Sequence, residues 1–287
     1  MSAVALDPVD PVDAGRGRRL PPISILFAGS ILVFVMVLVA VPSLAPRDPD
    51  LITPSESLLG PTRDHWFGTD QLGRDVASRA IAGARTAFLA PLALSVITVV
   101  AGVAIGILAG IRGGWIDGLA NRMVEVLYAV PALVVAIIVV GITGGGLATA
   151  LIVLSIFGIP STIRVMRAAV IERMGLPYIE AARTLGLTRP QIVLTQLLPA
   201  LLPLIVTSFF LQFTYGIVEV SSLSFLGLGV PPGSPDWGRM MFENRSVIGT
   251  NVWATAVPGI CVVALAVSAN VVGDWVYARF EKGARER

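Results

Sequence analysis

The 287-residue sequence predicts an all-α fold, a polytopic membrane bundle of six transmembrane helices. Three observations carry this. Hydrophobic residues make up 55% of the chain and charged ones only 14%, with a mean hydropathy of +0.81, which leaves too little charge to cover a water-soluble surface. Apolar runs recur at about residues 23–41, 86–111, 123–142, 147–168, 197–222 and 252–276, each long enough to cross a hydrocarbon core at about 20 residues per helix. The Lys and Arg residues between the runs are distributed unevenly. If the N-terminus is placed inside, 14 of the 21 lie in inside segments and 7 in outside ones. This two-to-one bias orients both termini to the cytoplasm.

The first 22 residues, rich in Pro and Asp, read as a disordered cytoplasmic tail. Arg16, Arg18 and Arg19 precede the first run, and Ser43-Leu44-Ala45 follows it. That order fits a signal peptide. The run's uncharged length and the five runs after it favour an uncleaved anchor instead. The membrane domain is then expected over residues 23–282, with an outer segment at 42–85 and a short tail at 283–287. Pro91, Pro131, Pro160, Pro203 and Pro258 lie within the spans. Each is an ordinary kink in a packed bundle, and together they suit a bundle that must flex. "TGGGL" at 143–147 marks a tight outer turn between the third and fourth spans.

Composition excludes several functions. The one cysteine, Cys261, allows no internal disulfide, and the one histidine, His65, rules out the usual multi-His and Cys/His metal sites. No metal site is expected. The net charge of +2 provides no footprint for nucleic acid. The only lysine, Lys282, lies between Glu281 and Gly283, so the chain has no Walker A loop and is no P-loop ATPase. One histidine, no clustered carboxylates and no G-x-S-x-G argue against an intramembrane hydrolase, and no catalytic residue is expected.

The polar stretch "EAARTLGLTRPQIVLTQLLP" at 180–199 separates two apolar runs, and its signals are too ordered for a passive linker. Pro177 can open a helix. Tyr178, Ala181, Ala182 and Leu185 then share one face, with Glu180, Arg183 and Thr184 on the other. Gly186 can take the left-handed conformation that ends a helix. Thr188 and Gln191 form a capping box for the next helix, with Pro190 in its first turn. Such a helix could rest on lipid headgroups. The Ala pair, which lets another surface approach closely, favours a protein partner.

Here the chain resembles a known family. Glu180-Ala181-Ala182, then Gly186, then Leu198-Pro199 are similar to the EAA loop of ABC importer membrane subunits. "HWFGTDQLGRDVASRAIAGARTAF" at 65–88 resembles the signature of the second, C-type permease of dipeptide and oligopeptide importers, with Trp66 and Phe67 in place of its usual Pro and Leu. "GGWID" at 113–117, "SSLSFLGLGVPPGSPDWG" at 221–238 and "NVVGD" at 270–274 extend the likeness over about residues 25–282.

The resemblance implies the type I importer transmembrane fold in a bacterial inner membrane, and a non-catalytic permease that works by alternating access. Its coupling helix, within a loop at 172–191, would offer Tyr178, Glu180, Ala181, Ala182, Leu185 and Gly186 to an ATP-binding subunit. Implied partners are a second homologous permease, one or two ATP-binding subunits that hold ATP and Mg, an external solute-binding protein and membrane lipid. The chain itself is expected to carry no cofactor. Peptides are the expected cargo, with nickel or glutathione as alternatives.

Polar residues within the spans need separate readings. Gln212, Tyr215, Glu219 and Asn270 either line a translocation path or join helices. For Glu219, hydrogen bonding to Ser221, Ser222 or backbone is the plainer reading. A secondary transporter would need titratable groups at mid-membrane, and Glu219 is the one good candidate. Glu125 is expected to pair with Arg122 near the headgroups. Asp70, Arg74 and Asp75 either cap a surface helix or contact the external binding protein. His65 is expected on the surface, and Cys261 as a packing residue in the sixth span.

Overall fold

The computed structural model describes residues 22–285 apart from Gly145, with the side chains of Pro22 and of 281–285 left aside. The expected tail at 1–22 therefore lies almost wholly outside the described residues. Among the described residues, ten α-helices follow in chain order: α1 Pro22–Ala40, α2 Val76–Arg112, α3 Gly114–Tyr128, α4 Ala132–Thr143, α5 Leu147–Met174, α6 Pro177–Thr184, α7 Arg189–Ile192, α8 Leu198–Phe225, α9 Trp237–Asn244 and α10 Trp253–Arg285. The described residues contain no β-strand.

Among the described residues, five helices are long and apolar enough to cross a membrane, and α3 with α4 makes a sixth span if the pair counts as one. That pair bends by 76°. The third run is thus two helices, where one kinked helix was expected. The break is local chemistry: Pro131 is extended at φ −63°, ψ 122° and heads α4, since its ring forbids the hydrogen bond that would continue α3. The second span also differs from its apolar run. α2 begins ten residues before residue 86, at Val76, and its 37 residues extend about 55 Å at 1.5 Å per residue. The helix therefore outruns a hydrocarbon core of about 30 Å. At the other end of the chain, α10 continues to Arg285, into the segment expected as a tail.

The bundle centres on α2, α5 and α8. Gly102, Gly106 and Gly110 of α2 face Thr162, Met166 and Val170 of α5, so the two helices run parallel. A Cβ at Gly106 would sit 2.8 Å from the Met166 Cβ, closer than two side chains can approach. Without side chains on that stripe the backbones pack directly, which is how helices gain contact where lipid offers no hydrophobic drive. Gly273 in the "NVVGD" stretch does the same for α10 against Phe210 of α8, with 2.9 Å from a Cβ to the ring Cγ. Gln212 ties α8 to α5, its Nε2 donating to the Gly158 carbonyl at 2.9 Å and the Ser161 hydroxyl at 3.1 Å. At the end shared by the α2 and α5 C-termini, Arg167 of α5 clasps Asp117 of α3, with Nη2 to Oδ2 at 2.6 Å. Cys261 packs against the core cluster of α1, α2, α8, α9 and α10.

Candidate functional site

The chain places its polar residues at the two ends of this bundle. At the end reached by α5, residues 175–197 form the loop that precedes α8. Pro177 occupies the first turn of α6. Gly186 closes it at φ +82°, a conformation costly to any residue with a Cβ. The Gly186 N–H donates to the Arg183 carbonyl and that of Leu187 to Ala182. The capping box of α7 is present: Gln191 Oε1 accepts from the Thr188 N–H at 2.8 Å, and Pro190 lies in the first turn. A five-residue π-helical stretch, Val193–Leu197, then joins α7 to α8, so one continuous helix of 37 residues runs from Arg189 to Phe225. The loop is rigidly delimited on both sides.

The expected face of α6 needs correction. Ala182 is not presented outward. It is buried with Ile179 and Ile192, against Met174 and Leu187. An eight-residue helix anchored on its own chain must spend one face there, and Ile179 and Ala182, three apart, are that face. The sequence reading missed Ile179. Tyr178, Glu180, Ala181, Leu185 and Gly186 remain exposed, with Leu185 79% accessible. Tyr178, Ala181 and Leu185 make an apolar ridge at three- and four-residue spacing.

At the opposite end, residues 41–75 fold over the start of α2 and against α9. Asp70, Arg74 and Asp75, read as either helix-capping or external-contact residues, are buried here. Arg74 donates from Nε to Asp70 Oδ2 at 2.7 Å and from Nη2 to Glu243 Oε2 at 2.8 Å. Arg79 reaches the carbonyls of Pro49 and Gly233, both at 3.0 Å. Arg239 donates to Glu243 Oε1 at 2.9 Å. Burial pushes the Glu243 carboxyl up, but the Gly233 amide, Arg239 and Arg74 outweigh it and hold it below the usual carboxylate range. Asp75 caps α2, accepting from the Ser78 N–H at 2.7 Å, so the capping alternative is the one realised.

His65, expected on the surface, is buried. Its Nδ1 lies 2.9 Å from Asp75 Oδ1 and its Nε2 lies 3.4 Å from Glu56. Trp237 of α9 donates from Nε1 to the Ala80 carbonyl at 2.8 Å. Arg79, Trp237, Arg239 and Glu243 thus belong to this cap and were not singled out beforehand. A close-packed arginine looks the same in sequence as a solvated one, and these partners are far apart in the chain.

The remaining sequence-predicted residues divide. Gln212 joins helices. Tyr215 and Asn270 stand exposed on α8 and α10. Glu219 is half-buried and makes no hydrogen bond or ion pair among the described residues, so the bond to Ser221 or Ser222 is not formed. Arg122 and Glu125 pair at 3.2 Å, as expected, on an exposed face of α3. The described residues hold no cluster of three His, Cys, Asp or Glu able to bind a metal ion.

Comparison with known proteins adds the family. Residues 102–286 match the family described as "Binding-protein-dependent transport system inner membrane component". The chain is 32% identical to the dipeptide transport system permease protein DppC of Alkalihalophilus pseudofirmus, over 90% of this chain and 85% of the relative. It is 34% identical to the glutathione transport system permease protein GsiD of Pectobacterium atrosepticum, over 84% and 82%. Among solved structures, an inward-facing form of the MetNI methionine ABC transporter shares the fold, with a TM-score of 0.52 at 22% identity, covering 69% of this chain and 95% of that one. The helices and the relatives agree, and the chain is a multi-pass membrane protein that belongs to the binding-protein-dependent transport system inner membrane component family.

Proposed function

We propose that the chain is the transmembrane subunit of an ATP-driven importer of peptides and supplies half of the translocation path. The observation that carries this is α6: a rigidly bounded helix with Tyr178, Ala181 and Leu185 exposed, on a chain with no phosphate-binding loop of its own. Such a helix transmits force only if something outside the chain grips it. ATP-binding subunits holding ATP and Mg are that partner, and their closure on ATP is relayed through α6 and the continuous α7–α8 helix into the bundle. A second permease completes the path, and an external binding protein delivers the cargo. The chain carries no cofactor and performs no covalent chemistry. Of the path candidates, Tyr215, Glu219 and Asn270 are the ones left open to a partner or solute. Relatives named for dipeptides and for glutathione support a peptide cargo over nickel.

The test is peptide uptake. Cells lacking their own peptide permease should take up labelled dipeptide when this chain and its partners are expressed, and not when this chain alone is omitted. The purified chain by itself should hydrolyse no ATP. ATPase activity of the chain shown free of partner subunits would overturn the reading.

Orientation follows from the charge bias. In a Cys261→Ala background, a cysteine at exposed Ser55 should react with an impermeant thiol reagent added outside, and one at exposed Thr184 should react only after the cells are opened. The reverse pattern would place α6 outside and remove its coupling role.

A further inference from the structure

We infer that a cavity beside the coupling helix binds the phosphate headgroup of an anionic membrane lipid. The cavity has a volume of about 270 Å³ and lies where α6, α7 and the ends of α2 and α5 meet. Two arginines line it, Arg183 from the last turn of α6 and Arg189 from the first turn of α7. Both arginines are exposed, and neither guanidinium makes a hydrogen bond or ion pair among the described residues. No carboxylate lines the cavity. Each guanidinium presents a fork of donors matched to phosphate oxygens.

The remaining wall is apolar. Ile111 lies one residue from the end of α2 and Met174 is the last residue of α5, with Ile192 and Val193 opposite. The cavity lies at the C-terminal ends of two helices long and apolar enough to cross a membrane, where a lipid headgroup could reach it. A phosphodiester at the arginines would lay its glycerol and first methylenes on Ile111 and Met174. A free phosphate would leave that wall unused. Placement in the inner leaflet rests on the proposed orientation. A lipid held here would touch both the coupling loop and the ends of the core helices, so membrane charge would bear on where α6 sits.

The complex, purified in detergent with its partner subunits, is titrated with phosphatidylglycerol or phosphatidylcholine and analysed by native mass spectrometry. Retention of phosphatidylglycerol by this chain should fall about tenfold or more in the Arg183→Gln/Arg189→Gln double variant, since charge-assisted contacts are lost. Retention should survive in the Arg183→Lys/Arg189→Lys variant and in Arg122→Gln, which removes an exposed charge outside the cavity. Phosphatidylcholine retention should be equal in all. Equal phosphatidylglycerol retention in wild type and the double Gln variant would overturn the site. Full displacement of the lipid by millimolar inorganic phosphate would overturn the lipid in favour of a soluble anion. Loss of the ATP-binding subunit from the double Gln variant, with lipid retention unchanged, would assign the arginines to an acidic protein partner. None of these outcomes depends on the cargo or on orientation, so the headgroup site and the peptide reading fail separately.

Discussion

Arg74→Met should destabilise the protein by about 3–5 kcal/mol, the cost of removing one partner of a buried charge pair and leaving the other uncompensated. The Arg74 side chain is 3% exposed and pairs with Asp70 and Glu243, themselves 2% and 10% exposed. Its loss leaves the buried Asp70 carboxylate without its closest cation and takes from Glu243 one of its two arginine hydrogen bonds, which loosens the seat of α9. Thermal unfolding of the detergent-purified variant measures this. Arg122→Met is the control, because the Arg122–Glu125 pair lies on the surface with side chains 77% and 64% exposed, where pairs are worth at most about 1 kcal/mol. Equal melting of both variants and the wild type would show that the cap is not held by its ion pairs.

Leu185→Asp should abolish peptide uptake while leaving the chain folded and in the membrane. Burying a leucine against a partner contributes about 1.5–3 kcal/mol, a tenfold to hundredfold change in a productive contact, and a carboxylate forced into the same contact adds a desolvation cost. Co-purification of the ATP-binding subunit and uptake at matched expression are the measurements. Leu185→Met should retain most of both. Ala182→Trp should fail differently: the buried alanine has no room, and overpacking costs about 1–3 kcal/mol, so the loop itself should loosen and the chain become easier to proteolyse there. If Leu185→Asp transports normally, α6 is not gripped through its exposed ridge, and the coupling role is lost with it.

Local rules account for much of what could be read in advance. Pro177, Gly186 and the Thr188–Gln191 box bound the loop helices through local geometry and hydrogen bonds spanning five residues or fewer, and the structure places each in its expected role. The spans were legible because 18-residue windows of apolar residues need no tertiary information to be recognised. The break at Pro131 was half legible. Proline marks an interrupted ladder, but a kink and a 76° bend differ only in whether neighbouring helices hold the two halves in line. The face of α6 was not legible. Ala181 and Ala182 lie about 100° apart on a helix, and both pass as small apolar positions.

The sequence by itself determined the membrane class, the absence of a nucleotide loop, the helix boundaries around residue 180 and the family. The family rests on the likeness of its motifs to known permeases, and the others rest on composition or on contacts within a few residues. Only the tertiary structure decided that Ala182 faces Ile192 and leaves the ridge to Leu185, that Asp70 and Arg74 are interior, and that Gly102, Gly106 and Gly110 are the seam with α5. Arg74 meets Glu243 across 169 residues of chain. Pairing at that separation is set by how whole helices pack, and no local pattern encodes which distant side chains a buried charge will meet.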